Sequence, residues 1–171
     1  MCSSDLREYA LRHKELFARL SDVAFHSMDQ SNGYSIQKLV KLSTDPQSGI
    51  RFWAVRGLAT RSATDTKRNK ALIAASDDES PSVAITACDG LLSNESSSTR
   101  RNAVEQLIEL ADVNRHGHFA AVAALNVLDM NANLTAAERK QLESLPRQAK
   151  KPPIRLGKYV GKLIDHATKS Q

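Results

Sequence analysis

Glycine, cysteine, proline and aromatic residues are all scarce in this chain, and each scarcity closes off a class of protein. Seven glycines in 171 residues are too few for many short strands joined by tight turns, which need residues tolerant of positive φ. Eight aromatics (four Phe, three Tyr, one Trp) beside a hydrophobic share of 41% leave the core to Leu, Ala, Ile and Val, which suits close helix packing. Cys2 and Cys88 stand apart with no metal-ligand spacing around either, which argues against a disulfide framework and a cysteine-based zinc site. No run of about 18 apolar residues is present to span a bilayer. Met1 to Ala10 lacks the charged start, apolar stretch and cleavage site of an export signal. A soluble chain is expected, with no membrane partner and no compartment assigned. Nucleophile–base pairs, paired carboxylates and metal clusters are missing too, so no catalytic, cofactor-binding or metal-binding residue is assigned. The sequence predicts a protein that is not an enzyme.

What the chain does have is repetition. Leu39-Val40, Asp45 to Ile50, Ala54 and Leu58 recur 33 residues later as Leu72-Ile73, Asp78 to Val83, Ala87 and Leu91. A looser third copy uses Leu107-Ile108, Asp112, Phe119, Ala123 and Val127. A helix pair of this length cannot hide its apolar stripe until a neighbour stacks on it, so this period predicts an α-solenoid.

The five prolines punctuate the pattern. Pro46 stops a helix over Ser35–Ser43 at about Thr44 or Asp45, because proline disfavours a helical residue before it. The next helix is expected over 48–60, with Ile50, Trp53, Ala54, Val55 and Leu58 for the core and small Ala54 and Gly57 to admit a neighbour. The second copy predicts Ala71–Ser76, then a helix from Pro81 to Ser93, proline being welcome where its missing N–H has no partner. After a polar break over 94–99, the third predicts Arg101–Asp112, a turn over Val113–His118, and Phe119–Met130. Thr135 and Glu138 form a capping box for a short helix that ends before Pro146. A docking helix begins near Ser4, with Asp5 and Glu8 at its positive end and Leu6, Tyr9 or Ala10, Leu16 or Phe17, Leu20 and Ala24 on one face. Ser31-Asn32-Gly33 ends it, Gly33 being free to take positive φ. A last amphipathic stretch, Tyr159 to His166, comes after Pro152-Pro153.

Charge is uneven. From Arg139 to Gln171 there are nine Lys or Arg against two acids, while the rest has 15 against 17. The repeats read as slightly acidic and the tail as basic. Arg147, Lys150, Lys151, Arg155 and Lys158 are the candidate patch for an anionic partner, against the plainer reading of a solvated linker.

Three further features admit sharper readings. Trp53 is expected at the core or its edge, where a fully buried ring would cost roughly 3–5 kcal/mol on truncation to Ala. His116-Gly117-His118 has the look of a metal pair but stands alone, and zinc needs three or four ligands, so a turn is expected. Asp45 can accept backbone N–H groups while Arg51 reaches acids of the next repeat. Ala84 and Ala120 stand where that arginine would recur, so the stack is expected to rest chiefly on apolar contact.

The segments D-P-Q-S-G-I-R-F-W-A-V-R-G-L at Asp45 to Leu58 and D-E-S-P-S-V-A-I-T-A at Asp78 to Ala87 resemble HEAT-type repeats. The ordered series L-R-E-Y-A-L at Leu6, I-R-F-W-A-V-R-G-L at Ile50, E-S-P-S-V at Glu79, H-G-H-F at His116, A-A-L-N-V-L-D at Ala123 and Y-V-G-K-L-I at Tyr159 is similar to the carboxy-terminal helical region of bacterial type I sulfatases. That resemblance implies an all-α solenoid of about three HEAT-like helix pairs over 1–145, with an N-terminal docking helix. Residues 146–171 would form a basic, proline-containing linker and a helix packed on or beside it. The structural positions it implies are Asp45, Ile50, Arg51, Trp53, Ala54, Leu58, Asp78, Pro81, Val83, Ala87, Leu91, Phe119, Ala123 and Leu128. Sulfatases use a formylglycine made within C/S-x-P-x-R and a calcium site, and neither motif is in this chain. The implied role is a non-catalytic scaffold docking a protein surface, such as a sulfatase-type catalytic domain, with export implied if it belongs to one. A nucleic-acid-binding HEAT-like repeat protein is the alternative.

Overall fold

The computed structural model describes residues 8, 11–31, 33–94, 96–131, 133–150 and 158–169. Its elements are α1 (Lys14–Met28), α2 (Ile36–Leu42), α3 (Ser48–Ala59), α4 (Thr66–Ala75), α5 (Pro81–Leu91), α6 (Ser97–Leu110), α7 (Val113–Asn131), α8 (Ala136–Glu143) and α9 (Tyr159–Lys169). The fold is all-α. Among the described residues, no helix is long and apolar enough to cross a membrane.

Capping chemistry sets the helix starts. Side chains of Ser35, Asp65, Ser96 and Thr135 each accept the backbone N–H three residues on, satisfying a donor that has no partner inside the helix. Glu138 returns a bond to the Thr135 N–H at 2.7 Å, closing the capping box. Pro81 stands at the first position of α5.

The helices pack in a regular order. Each odd-numbered helix lies on the next, α1 on α3, α3 on α5, α5 on α7 and α7 on α9, while α2 packs on α4 and α6 on α8. Close approach is made by small residues at matched positions. A Cβ added at Gly57 would lie 2.8 Å from the Ser27 carbonyl oxygen of α1, and one at Gly90 would lie 2.8 Å from Ala59 Cβ of α3. The core between the rows is aliphatic: Leu39, Ile50, Ala54, Val55, Leu58, Leu72, Val83, Ala87, Leu107 and Leu125 are all fully buried.

Several boundaries differ from expectation. α4 begins at Thr66 and α6 at Ser97, because Asp65 and Ser96 cap polar first turns that hydrophobic periodicity alone does not register. The Val113–His118 turn is instead the start of α7, interrupted only at Gly117, whose φ of 81° and ψ of 173° are non-helical. That break rephases the remainder of α7: Phe119 is 86% exposed and Ala123 is also exposed, while Ala120, Ala121, Ala124, Leu125 and Leu128 face inward. The expectation that Phe119 and Ala123 face the core is therefore wrong, displaced by one residue. Gly33 does not use positive φ; a Cβ there would fall 2.0 Å from the Asp29 carbonyl oxygen, so lack of a side chain is what the site requires. Of the docking helix, Ser4, Asp5, Leu6, Tyr9 and Ala10 lie outside the described residues. Val23 and Ser27 are its buried positions, Leu16, Leu20 and Ala24 are half-buried, and Phe17 is 40% exposed.

Candidate functional site

A groove of about 630 Å³ lies between α2 and α4. Lys67, Lys70, Ala71 and Ala74 line it from α4, at the i, i+3, i+4, i+7 spacing that puts four side chains on one helix face. Gln37, Val40, Ser43 and Thr44 line the other wall, and Arg51 and Asp78 lie at its floor.

That floor is electrostatically closed. Arg51 Nε and Nη2 donate to the two carboxylate oxygens of Asp78 at 2.7 and 2.9 Å, and Nη2 also reaches Glu79 at 3.2 Å. Nη1 donates to the Asp45 and Pro46 carbonyl oxygens at 2.9 and 3.2 Å. Burial alone would raise the Asp78 carboxyl, but the Arg51 hydrogen bonds, the Ser80 N–H and the Arg51 charge outweigh it and hold it below its ordinary range. The Asp78 hydrogen bond raises Arg51 in turn, against a smaller opposing effect of burial. With both groups satisfied, neither is available to a ligand.

The rim is open and basic. Every charged side chain on α2 and α4 is a cation: Lys38, Lys41, Lys67, Arg68 and Lys70. Lys38 stands 3.6 Å over the Tyr34 ring and Arg68 is fully buried. Lys41, Lys67 and Lys70 are exposed. Basicity is thus not confined to the tail. Residues 1–75 hold 12 Lys or Arg against seven acids, whereas residues 76–135 hold three against nine.

Arginines at the helix ends are the feature sequence reasoning missed. Arg68 donates to the carbonyl oxygens of Leu58 (3.0 Å), Ala59 (3.1 Å) and Gly90 (2.8 Å), and to Asn69 Oδ1 at 2.7 Å. It gathers the carboxy-terminal ends of α3 and α5, where carbonyls lack intrahelical partners and a cation suits the dipole. Arg61 does the same at the end of α1, donating to Ser27, Asp29 and Tyr34 carbonyls, and Arg139 at the end of α9, donating to Thr168. A signal for Arg68 does exist in the sequence: it shares the i, i+4, i+7 stripe of buried Leu72 and Ala75.

Of the other expected positions, Ile50, Ala54, Leu58, Val83, Ala87, Leu91 and Leu128 are buried. Trp53 is half-buried, edge-to-face with Phe52 at 5.3 Å. Asp45 accepts the Gln47 N–H at 3.0 Å and pairs with Arg19. Asp78 and Asp112 repeat the first bond with Ser80 and Asn114, each at 2.8 Å. In the tail, Arg147 is tied to Asp165 at 2.6 Å, Lys150 and Lys158 are exposed, and Lys151 and Arg155 lie outside the described residues. His118 is buried and His116 half-buried. The Nε2 atoms of both are buried without a hydrogen-bond partner. Among the described residues no group of three or more His, Cys, Asp or Glu is placed to hold a metal. Cys88 is buried, which pushes its thiol up to about 12, with Asp77 and Asp89 adding to the effect. No family model matches this chain, and neither does any curated protein or solved structure.

Proposed function

We propose that this chain is a non-catalytic helical-repeat scaffold that docks a partner protein in the groove between α2 and α4. The carrying observation is the groove itself: about 630 Å³ of space, walled by Val40, Ala71 and Ala74 and rimmed by Lys67 and Lys70, over a floor whose charges are already paired. A surface that offers apolar wall and unpaired charge fits recognition; one whose buried ionic groups satisfy each other does not fit proton transfer or nucleophilic attack.

A HEAT-like solenoid of about three pairs, α2–α3, α4–α5 and α6–α7, is the architecture we propose behind it. In its support, Leu39 and Leu72 are equally buried, Gly57 and Gly90 make equivalent close approaches, and Asp45, Asp78 and Asp112 make the same turn bond. The proposed partner, on the ordered motifs shared with sulfatase appendages, is a sulfatase-type catalytic domain. Mixed with such a domain, the chain should co-elute as a complex on size exclusion, and Ala74→Trp should abolish it. Co-elution indifferent to Ala74→Trp would move docking off the groove, and no complex at all would remove this partner.

A second reading, nucleic-acid binding, draws support from the all-basic charge of α2 and α4. Against it, no aromatic side chain among the described residues lines the groove to stack a base. Duplex DNA retained by the chain and released steeply by salt would favour it.

A further inference from the structure

We propose that the groove between α2 and α4 receives an acidic amphipathic helix, with its small apolar residues against Ala71 and Ala74 and its carboxylates against Lys67 and Lys70. This rests on the docking reading above and names the chemistry of what docks.

Three observations converge on that occupant. The first is shape. α4 presents only alanines, Ala71, Ala74 and Ala75, beside its two lysines, so a helix axis can approach within the roughly 8–10 Å of packed helices. The ten residues of α4 span about 15 Å, or close to three turns, which sets the length of the matching partner segment.

The second is charge. α2 and α4 carry no acidic side chain, and the one carboxylate that lines the groove among the described residues, Asp78, is bound by Arg51. A cationic or neutral helix would leave Lys67 and Lys70 facing like charge or nothing, whereas Glu or Asp at helical spacing meets them in register. The third is the apolar wall. A phosphate backbone would satisfy the lysines but leave Val40, Ala71 and Ala74 wet, while an amphipathic helix covers the wall and meets the rim together.

The test is fluorescence anisotropy of the full chain with labelled peptides of about 15 residues: a Glu/Ala/Leu amphipathic sequence, a scrambled version of the same composition, and a version with Lys for Glu. The amphipathic acidic peptide should bind and gain helicity by circular dichroism, since free peptides of this length are marginal helices. The double variant Lys67→Glu, Lys70→Glu and the plug Ala74→Trp should each weaken it at least about tenfold. Ala74 is exposed, so the Trp replaces no core contact; melting curves check that, and Lys70→Glu alone gives an independent reading.

Equal binding of the scrambled peptide overturns the proposal in favour of unspecific attraction. Preference for the Lys peptide, abolished by Ala74→Trp, overturns the acidic occupant and leaves the docking groove standing. Peptide binding untouched by Ala74→Trp overturns both. Duplex DNA bound through Lys67 and Lys70 with no peptide binding assigns the groove to nucleic acid instead. A dimer by light scattering that dissolves in Ala74→Trp assigns it to a second copy of the chain.

Discussion

Removing the Arg68 guanidinium should cost more stability than removing any charge on the protein's surface. The side chain is fully buried, and burial lowers its pKa against the opposing charge of Asp65, yet a guanidinium stays protonated at any accessible pH. In Arg68→Ala the half-buried Ala59 carbonyl loses its 3.1 Å donor, a cost of about 1–3 kcal/mol for a group left without that bond. The Leu58 carbonyl keeps the Arg61 N–H at 3.0 Å, and the Gly90 carbonyl keeps the Ser93 hydroxyl at 3.3 Å. These two should lose about half as much each.

Loss of the aliphatic stem adds about 1–2 kcal/mol of cavity cost, and relief from burying a charge returns part of the total. The net expectation is about 3–4 kcal/mol. With an m-value of about 2 kcal/mol/M, the urea midpoint should fall by roughly 1.5–2 M. Arg68→Met keeps the stem and loses the bonds, so it should recover about a third to a half of the loss. A midpoint for Arg68→Ala within about 0.3 M of the parent would refute the reasoning. Arg68→Met matching the parent would show that the carbonyl bonds add nothing net.

Asp78→Ala should destabilise by about 2–4 kcal/mol near neutral pH by taking from buried Arg51 its two-bond carboxylate partner and leaving it only the exposed Glu79 at 3.2 Å as a counter-charge. Because the folded-state carboxyl is depressed, this advantage of the parent is full above about pH 5 and fades as pH falls below about 4; a gap that persists unchanged at about pH 3 in urea titrations contradicts it. Gly117→Ala should cost about 1–3 kcal/mol from backbone strain alone, since a Cβ at φ 81° would meet nothing within 4 Å; an unchanged melting temperature would count against that conformation. Gly90→Ala should destabilise by about 1–3 kcal/mol through overpacking on Ala59, although alanine is the better helix former by about 1 kcal/mol; a stabilised variant would contradict the close approach. In a Cys2→Ser background, Cys88 should resist iodoacetamide until the chain unfolds, and fast labelling of the native protein would be inconsistent with its burial.

Helix type and core membership were legible because both depend on local spacing. Ile50, Ala54 and Leu58, or Val83, Ala87 and Leu91, keep one phase from end to end, and all six are buried. The phase was lost where the backbone changes without a change in composition. Phe119 lies two residues after Gly117, whose φ no periodicity encodes, so a single backbone break turned the aromatic outward. The starts of α4 and α6 were hidden in polar stretches, where helix formation depends on one capping oxygen. The groove was hidden for a different reason. Lys67, Lys70, Ala71 and Ala74 read as an ordinary polar-to-small helix start, and become one wall only when α2 is brought alongside from about 30 residues away.

The two edges of the helix rows carry opposite chemistry, which explains why the stack tolerates an incomplete arginine ladder. At the edge where α3, α5 and α7 begin, Asp45, Asp78 and Asp112 accept the N–H two residues on, placing negative charge at positive helix ends. At the other edge, Arg61, Arg68 and Arg139 donate to carbonyls of α1, α3, α5 and α9, placing positive charge at negative ends. Arg51 is the one side chain among these that joins carboxylates of the next turn, and Ala84 and Ala120 cost the later turns nothing because their helix ends are already satisfied within each turn. Polar satisfaction is therefore concentrated along the two edges and aliphatic contact fills the space between, which leaves Lys41, Lys67 and Lys70 of α2 and α4 exposed to solvent.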